Sequence, residues 1–208
     1  MAELVLDTSV RGAGLVLLSE GGAVLASRTV TGGAGSVHES LRDLLEAVAA
    51  PVSSVLVARG PGSYIGVRSG LAGGLGFSQG RGVPIHLVGS LRVVAETVDP
   101  EGAQALVLRS AGRGGLLGQL FSASDVGWTA VGPSQLLGAG QALPPSWIEA
   151  PGLIDPDGIA PGDLGRRGLL RARGLDQALA RLANTAAGPG VPYDQVSADY
   201  AVRVGAQR

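Results

Sequence analysis

The stretch from Ser54 to Gln79 constrains this chain more than any other part of it. A short apolar run, Ser54 to Ala58, is of the buried-strand kind and leads directly into Gly60-Pro61-Gly62-Ser63, after which a helical pattern runs from about Tyr64 to Gln79. The unit is strand, tight loop, helix, which belongs to α/β folds. Its helix has an unusual composition. Gly66, Gly70 and Gly74 recur at i, i+4 and i+8, with Gly73 beside them, so they share one face. Each glycine costs a helix interior roughly 0.8 to 1 kcal/mol relative to alanine, about 2 to 3 kcal/mol for the three. Close approach of another backbone must offset that cost, and the backbone belongs either to the same lobe or to another chain.

Upstream, Glu3 to Leu6, Gly14 to Leu18 and Ala23 to Val30 read as a β-meander, with Gly21-Gly22 at a turn. Ser36-Val37-His38-Glu39 matches a capping box. From it Val37, Leu41, Leu44, Leu45 and Val48 form a single apolar helical stripe that ends at Pro51. Pro84 to Val88 is a further strand, and Gly89-Ser90 opens a helix carrying Leu91, Val94, Ala95 and Val98. Asp99-Pro100-Glu101-Gly102 breaks the pattern, which divides the chain into lobes 1–99 and 100–208. In the second lobe Ala105 to Leu108, Leu116 to Phe121 and Gly127 to Val131 are expected strands. A loop-rich middle carries Pro144, Pro145, Pro151, Pro156 and Pro161, and Leu175 to Ala183 is an expected helix. This lobe reads as reduced, with its tail, 192–208, a candidate to pack back on the first lobe.

All sixteen basic residues are arginine, so chemistry that needs a lysine amine on a phosphate, in a Schiff base or in a Ser-Lys dyad is excluded. No cysteine is present, which removes thiolate catalysis and Cys-ligated zinc and fits a reducing compartment. The net charge of −1 gives no broad attraction for a polyanion, so contact with nucleic acid is expected only through a partner. The first residues lack a signal-peptide pattern and no apolar run reaches the ~18 residues that span a bilayer, so a cytoplasmic location without membrane contact is expected.

Two segments carry hydroxyls and glycines at strand ends. Asp7-Thr8-Ser9 follows the first strand, and Gly60, Gly62 and Ser63 open the glycine helix. Backbone amides at such a helix start can hold a phosphate, and a carboxylate with two hydroxyls can hold a hydrated metal; both segments are also ordinary turn chemistry. The spacing Gly60, Gly62, Gly66 is not G-x-G-x-x-G, and no acidic residue follows at the distance a dinucleotide site needs. His38 has Arg42 rather than a second ligand at i+4, and His86 sits between Ile85 and Leu87 in a strand, so neither builds a metal site. No G-x-S-x-G is present for a serine hydrolase. Arg166, Arg167, Arg171 and Arg173 form one basic cluster, which reads as a solvated face or a phosphate contact.

In chain order, Asp7-Thr8-Ser9, the His38 helix, Gly60-Pro61-Gly62-Ser63-Tyr64 with Gly66-Val67-Arg68, and Gly89-Ser90-Leu91 resemble the TsaB family of bacterial tRNA threonylcarbamoyladenosine biosynthesis proteins. The resemblance covers about Leu4 to Leu91. It implies an α/β, actin-like (ribonuclease H-like) ATPase fold of two lobes, shared with sugar kinases and Hsp70, in a branch that has lost activity. It implies a scaffold that pairs with a TsaD-like catalytic subunit, joined by a TsaE-like ATPase, with tRNA reached only through the complex. A homodimer also remains open. It implies no intrinsic cofactor, ATP or ADP being held only with the partner complex, and Asp7, Thr8, Ser9, Gly60, Gly62 and Ser63 as vestigial nucleotide loops. The pairing surface it implies comprises His38, Leu41, Leu45, Gly66, Gly70, Gly73, Gly74 and Phe77. Where the family commonly has Ser-Phe-Thr-Gly this chain has Ser63-Tyr64-Ile65-Gly66, and where it has Asp-Ala-Arg this chain has Ser110-Ala111-Gly112-Arg113. Two rival classes stand beside the scaffold: an ATP-dependent phosphotransferase using Asp7 and the Gly60–Ser63 loop, and a glycoprotease-like peptidase.

Overall fold

The computed structural model describes residues 1–10, 14–31, 34–48, 50–99, 104–125, 127–164, 174–186, 188–199 and 201–203. The Arg166–Arg173 cluster lies outside them. Two compact units result, Met1–Val93 with Gly174–Asp199, and Val94–Arg173 with Tyr200–Arg208.

In the first unit β1 (Ala2–Asp7), β2 (Gly14–Glu20) and β3 (Ala23–Val30) form an antiparallel meander, and β4 (Val52–Ala58) and β5 (Ile85–Val88) add in parallel on the far side of β1. The sheet order is β3-β2-β1-β4-β5. Its central strands are apolar on both faces, as strands covered on both sides must be. Leu4, Leu6, Val16, Leu18, Val55 and Val57 face α1 (Ala34–Ala47) and α2 (Tyr64–Arg81), whereas Val5, Leu17, Leu56 and Ala58 face Val93, Leu179 and Ala183. The last two belong to α5 (Leu175–Thr185), a helix distant in sequence. Without α5 the second face of the sheet would be open to water, which is the physical reason that residues 174–199 group with the first unit rather than with 100–208. Residues 190–199 follow it there: the Val191 N–H donates to Ile85 O at 2.7 Å and the Asp199 N–H to Arg59 O at 2.7 Å, and Val196 and Ala198 join the core.

The second unit repeats the strand pattern. β6 (Gln104–Gly112), β7 (Gly115–Ser124) and β8 (Gly127–Leu137) form a meander, β9 (Gly152–Ile154) adds in parallel beside β6, and β10 (Val202–Arg203) lies beside β8. Between its third and fourth strands, where the first unit has the fourteen residues of α1, stands the five-residue α4 (Pro145–Glu149). Pro145 suits the first helical turn, where its missing N–H costs nothing, and α4 buries Trp147 against Leu106, Leu108 and Leu137. The proline-rich middle expected to be loop thus holds a helix and a strand. The domain break expected at 99/100 also differs from the observed division. It falls at 93/94, within α3 (Ser90–Ala95), because Glu96 and Val98 accept hydrogen bonds from the backbone and indole N–H of Trp128, at 2.9 and 3.0 Å. Both arrangements are α/β, and the repeated meander-plus-parallel-strand order is that of the actin-like fold.

Helix α1 begins at Ala34, two residues before Ser36, so Ser36 lies in the first turn instead of at the cap. The packing stripe from Val37 locates the helix, and its amino end at Ala34 extends most of a turn beyond that stripe.

Helix α2 holds the main correction to the glycine stripe. Gly70 and Gly74 are buried, and a Cβ on Gly74 would be pressed well inside contact distance of Val57 Cγ2. Gly74→Ala gains about 1 kcal/mol of helix propensity, yet it pushes against a β-branched side chain fixed in the central sheet. Urea melting is expected to show a net loss of about 1 to 3 kcal/mol; an equal or higher stability would show that α2 does not lie on β4 as described.

Candidate functional site: two closed loops and an open helical face

Because β1 and β4 are parallel neighbours, their carboxyl ends and the loops that follow them meet at one edge of the sheet. Asp7, Thr8 and Ser9 are buried there, and the two loops are joined by hydrogen bonds. The Ser9 N–H donates to Asp7 Oδ1 at 2.9 Å, an Asx turn, and Ser9 O accepts from the Ser63 N–H at 2.7 Å. Thr8 Oγ1 donates to Gly66 O at 2.7 Å. Ser63 Oγ caps α2 by accepting from the Gly66 N–H at 3.4 Å. The Gly60 N–H donates to Ser90 Oγ at 3.1 Å, and Gly60 O accepts from the Ser90 N–H at 2.8 Å.

The glycines are what allow this closeness. A Cβ on Gly62 would stand 2.5 Å from Ser9 O, and one on Gly66 or Gly70 would run into Thr8. At Gly60, φ is +100°, in the region that disfavours side chains, and a Cβ there would lie 2.7 Å from Asp199 O. Asp7, Thr8, Ser9, Gly60, Gly62 and Ser63 thus lie together at this edge of the sheet. The hydroxyls and amides named above, which a phosphate would need, are already engaged by protein groups. Among the described residues no cluster of three or more His, Asp or Glu side chains has the disposition of a metal site.

On its opposite side α2 meets α1 along a groove of about 940 Å³. Val37, His38, Leu41, Arg42, Leu45 and Glu46 line one wall; Arg68, Ser69, Ala72, Gly73, Gly76, Phe77 and Arg81 line the other. His38, Leu41, Leu45, Gly73 and Phe77 of the expected pairing surface are therefore here. Gly66, Gly70 and Gly74 do not line it: they face Thr8 and Val57 of their own unit. The outward small-residue row is instead Ser69, Ala72 and Gly76, at i, i+3 and i+7. A Cβ on Gly76 would find no atom within 4 Å. That second row was in the sequence at ordinary helical spacing, but the more regular four-residue repeat of glycines masked it.

Other expected features take structural places. Arg113 lies at the β6–β7 turn with φ +52° between Gly112 and Gly114, both at positive φ. His86 is half-buried on β5, and burial lowers its pKa from the ordinary value. The unfolded chain therefore binds a proton more readily than the folded one near and below about pH 6.5. Stability present above that pH should fall as pH drops through the unfolded value, then level off below the folded one. His86→Gln should remove this part of the pH dependence of the melting temperature. An identical wild-type and variant slope between about pH 7.5 and pH 5.5 would contradict the assignment.

Residues 35–129 match the family model described as TsaD: tRNA N6-adenosine threonylcarbamoyltransferase. No curated protein matches the chain. Among solved structures, a Pseudomonas aeruginosa protein described as similar to the peptidase YeaZ has 21% identity and a TM-score of 0.70, over 96% of this chain and 98% of that one. YeaZ from Pseudomonas aeruginosa has 19% identity and a TM-score of 0.67, over 96% and 99%. Among the described residues no helix is long and apolar enough to cross a membrane. Residues 35–129 are thus similar to the TsaD family, and the chain shares the fold of the YeaZ structures over nearly its whole length.

Proposed function

We propose that this chain is a non-catalytic subunit of a tRNA threonylcarbamoyladenosine-forming complex, which acts by pairing its α1–α2 face with a TsaD-like catalytic subunit. The observation that carries the reading is the division of labour across α2. Its inner face closes the two loops from which a phosphotransferase of this fold would work, and its outer face is an open groove with an apolar lining. The TsaD-family match at residues 35–129 supports the pathway, and the apolar groove supports association through this face. A TsaE-like ATPase would join the pair, and tRNA and any ATP or ADP would be held by the complex rather than by this chain, which is expected to stay in the cytoplasm. The rival phosphotransferase reading needs Thr8 Oγ1, the Ser63 N–H and Asp7 Oδ1 released from their present partners.

Gly76→Gln tests the pairing. The site is open, and glutamine is a better helix former than glycine, so the variant should melt at the same temperature or higher. The added side chain stands in the groove floor and should lower affinity for the TsaD-like subunit by about tenfold or more, roughly 1.4 kcal/mol. Calorimetric titration reads the affinity. Full affinity in a well-folded Gly76→Gln variant contradicts the proposal, as does magnesium-dependent ATP turnover by the purified chain that Asp7→Ala abolishes.

A further inference from the structure

The outward row of α2 continues past the end of the groove. At about 100° per residue Ile65 falls in line with Ser69, Ala72 and Gly76, at i+4, i+7 and i+11, on the side opposite the buried Gly70 and Gly74. Ile65 is 66% exposed, and among the described residues only Met1 exposes a larger fraction of a large apolar side chain. Its neighbour Tyr64 is covered in part by the Arg68 guanidinium, 4.0 Å from the ring centroid. A single exposed isoleucine is ordinary on a protein surface. This one prolongs a row whose other members line a groove with Leu41, Leu45 and Phe77. The two ends of the row have opposite shapes: Ile65 projects a branched side chain, whereas a Cβ on Gly76 would find no atom within 4 Å. At ~1.5 Å per residue they stand about 16 Å apart along the axis.

The area that a stable pair buries makes this extension necessary. From Arg68 to Arg81 the groove is about 20 Å long, and two helices of about 10 Å each make it about 20 Å wide. A partner covering only that would bury about 800 Å² in all, short of the ~1,200 Å² at which specific pairs begin. Ile65 is the exposed apolar side chain that carries the face further along α2. We infer that Ile65 anchors the pairing by entering an apolar pocket on the TsaD-like subunit, which in turn seats a large apolar side chain in the open space over Gly76. The inference rests on the pairing reading given above. The family match at residues 35–129 spans all of α2 and all but the first residue of α1, which favours a TsaD-like subunit over an unrelated partner. A projection at one end of the row and a gap at the other then set the register of the two surfaces through shape.

Calorimetric titration of the full chain with the TsaD-like subunit of the same cell tests it. Ile65→Ser should lower affinity about tenfold or more, and Ile65→Val, one methyl group smaller, by about fourfold or less. Ile65 is exposed in the first turn of α2, so both variants should keep the wild-type melting temperature. Gly76→Ala separates a filled gap from an empty one. With a partner side chain seated over Gly76 it should weaken pairing while raising helix propensity; equal or tighter pairing overturns the inference. If Ile65→Ser keeps wild-type affinity while Gly76→Gln still weakens pairing, the anchor is overturned and the pairing reading stands. If Ile65→Ser and Gly76→Gln both keep full affinity, the pairing reading falls and takes the inference with it. Sedimentation of the chain alone supplies the last arm. A homodimer that Ile65→Ser dissolves, with the TsaD-like pair unaffected, assigns the anchor to a second copy and overturns the stated partner.

Discussion

Helix α2 lies so close to β1 and β4 that no side chain fits at Gly66, Gly70 or Gly74, and much of the first unit depends on that approach. Thr8 Oγ1 donates to Gly66 O across the gap, the Ser63 N–H donates to Ser9 O, and a Cβ on Gly74 would collide with Val57. Three glycines in register make an isolated helix poor by about 2 to 3 kcal/mol. The approach they permit offsets this through hydrogen bonds and through packing of Val67 and Leu71 into the core. A helix so placed determines the positions of both loops before any ligand is considered.

Two consequences follow from one helix. Drawing α2 inward engages Thr8 Oγ1, Ser63 Oγ and the amides of Ser63 and Gly66 at the sheet edge, which becomes a joint between secondary structures. It also turns Ser69, Ala72 and Gly76 outward beside α1, where Leu45 and Phe77 remain partly exposed to the groove. The second unit repeats the meander and its parallel neighbour with a five-residue helix where the first has α1, so among the described residues it shows no counterpart to the paired helices that build the groove.

Local signals made much of this architecture legible in the sequence. The limits of β3 agree to the residue, and those of β1, β2 and β4 fall within two, because alternating apolar runs and Gly21-Gly22 mark them directly. The loops were locatable because Asp7-Thr8-Ser9 and Gly60–Ser63 each terminate a buried strand. What the sequence could not show was which face of α2 looks inward. Glycine at 66, 70 and 74 is equally consistent with close packing inside or between chains, and only the position of Thr8 and Val57 decides between them. Nor could it show that α5 covers the first sheet, since a helix at residue 175 gives no local sign that its partner is Leu17 and Leu56. The α4 helix was hidden by prolines, although Pro145 at a helix start and a buried Trp147 are what a short packed helix would use.

The most direct test of the central claim, that the inner face of α2 is committed to its own unit while the outer face is the surface of association, is amide hydrogen exchange of the chain alone, with magnesium-ATP, and with the TsaD-like subunit. The account predicts slower exchange confined to Ala34–Ala47 and Ile65–Arg81 when the subunit is added, and no change at Asp7–Ser9 or Gly60–Ser63 with nucleotide. Protection of those loops by nucleotide alone, or subunit-dependent protection that avoids α1 and α2, would contradict it.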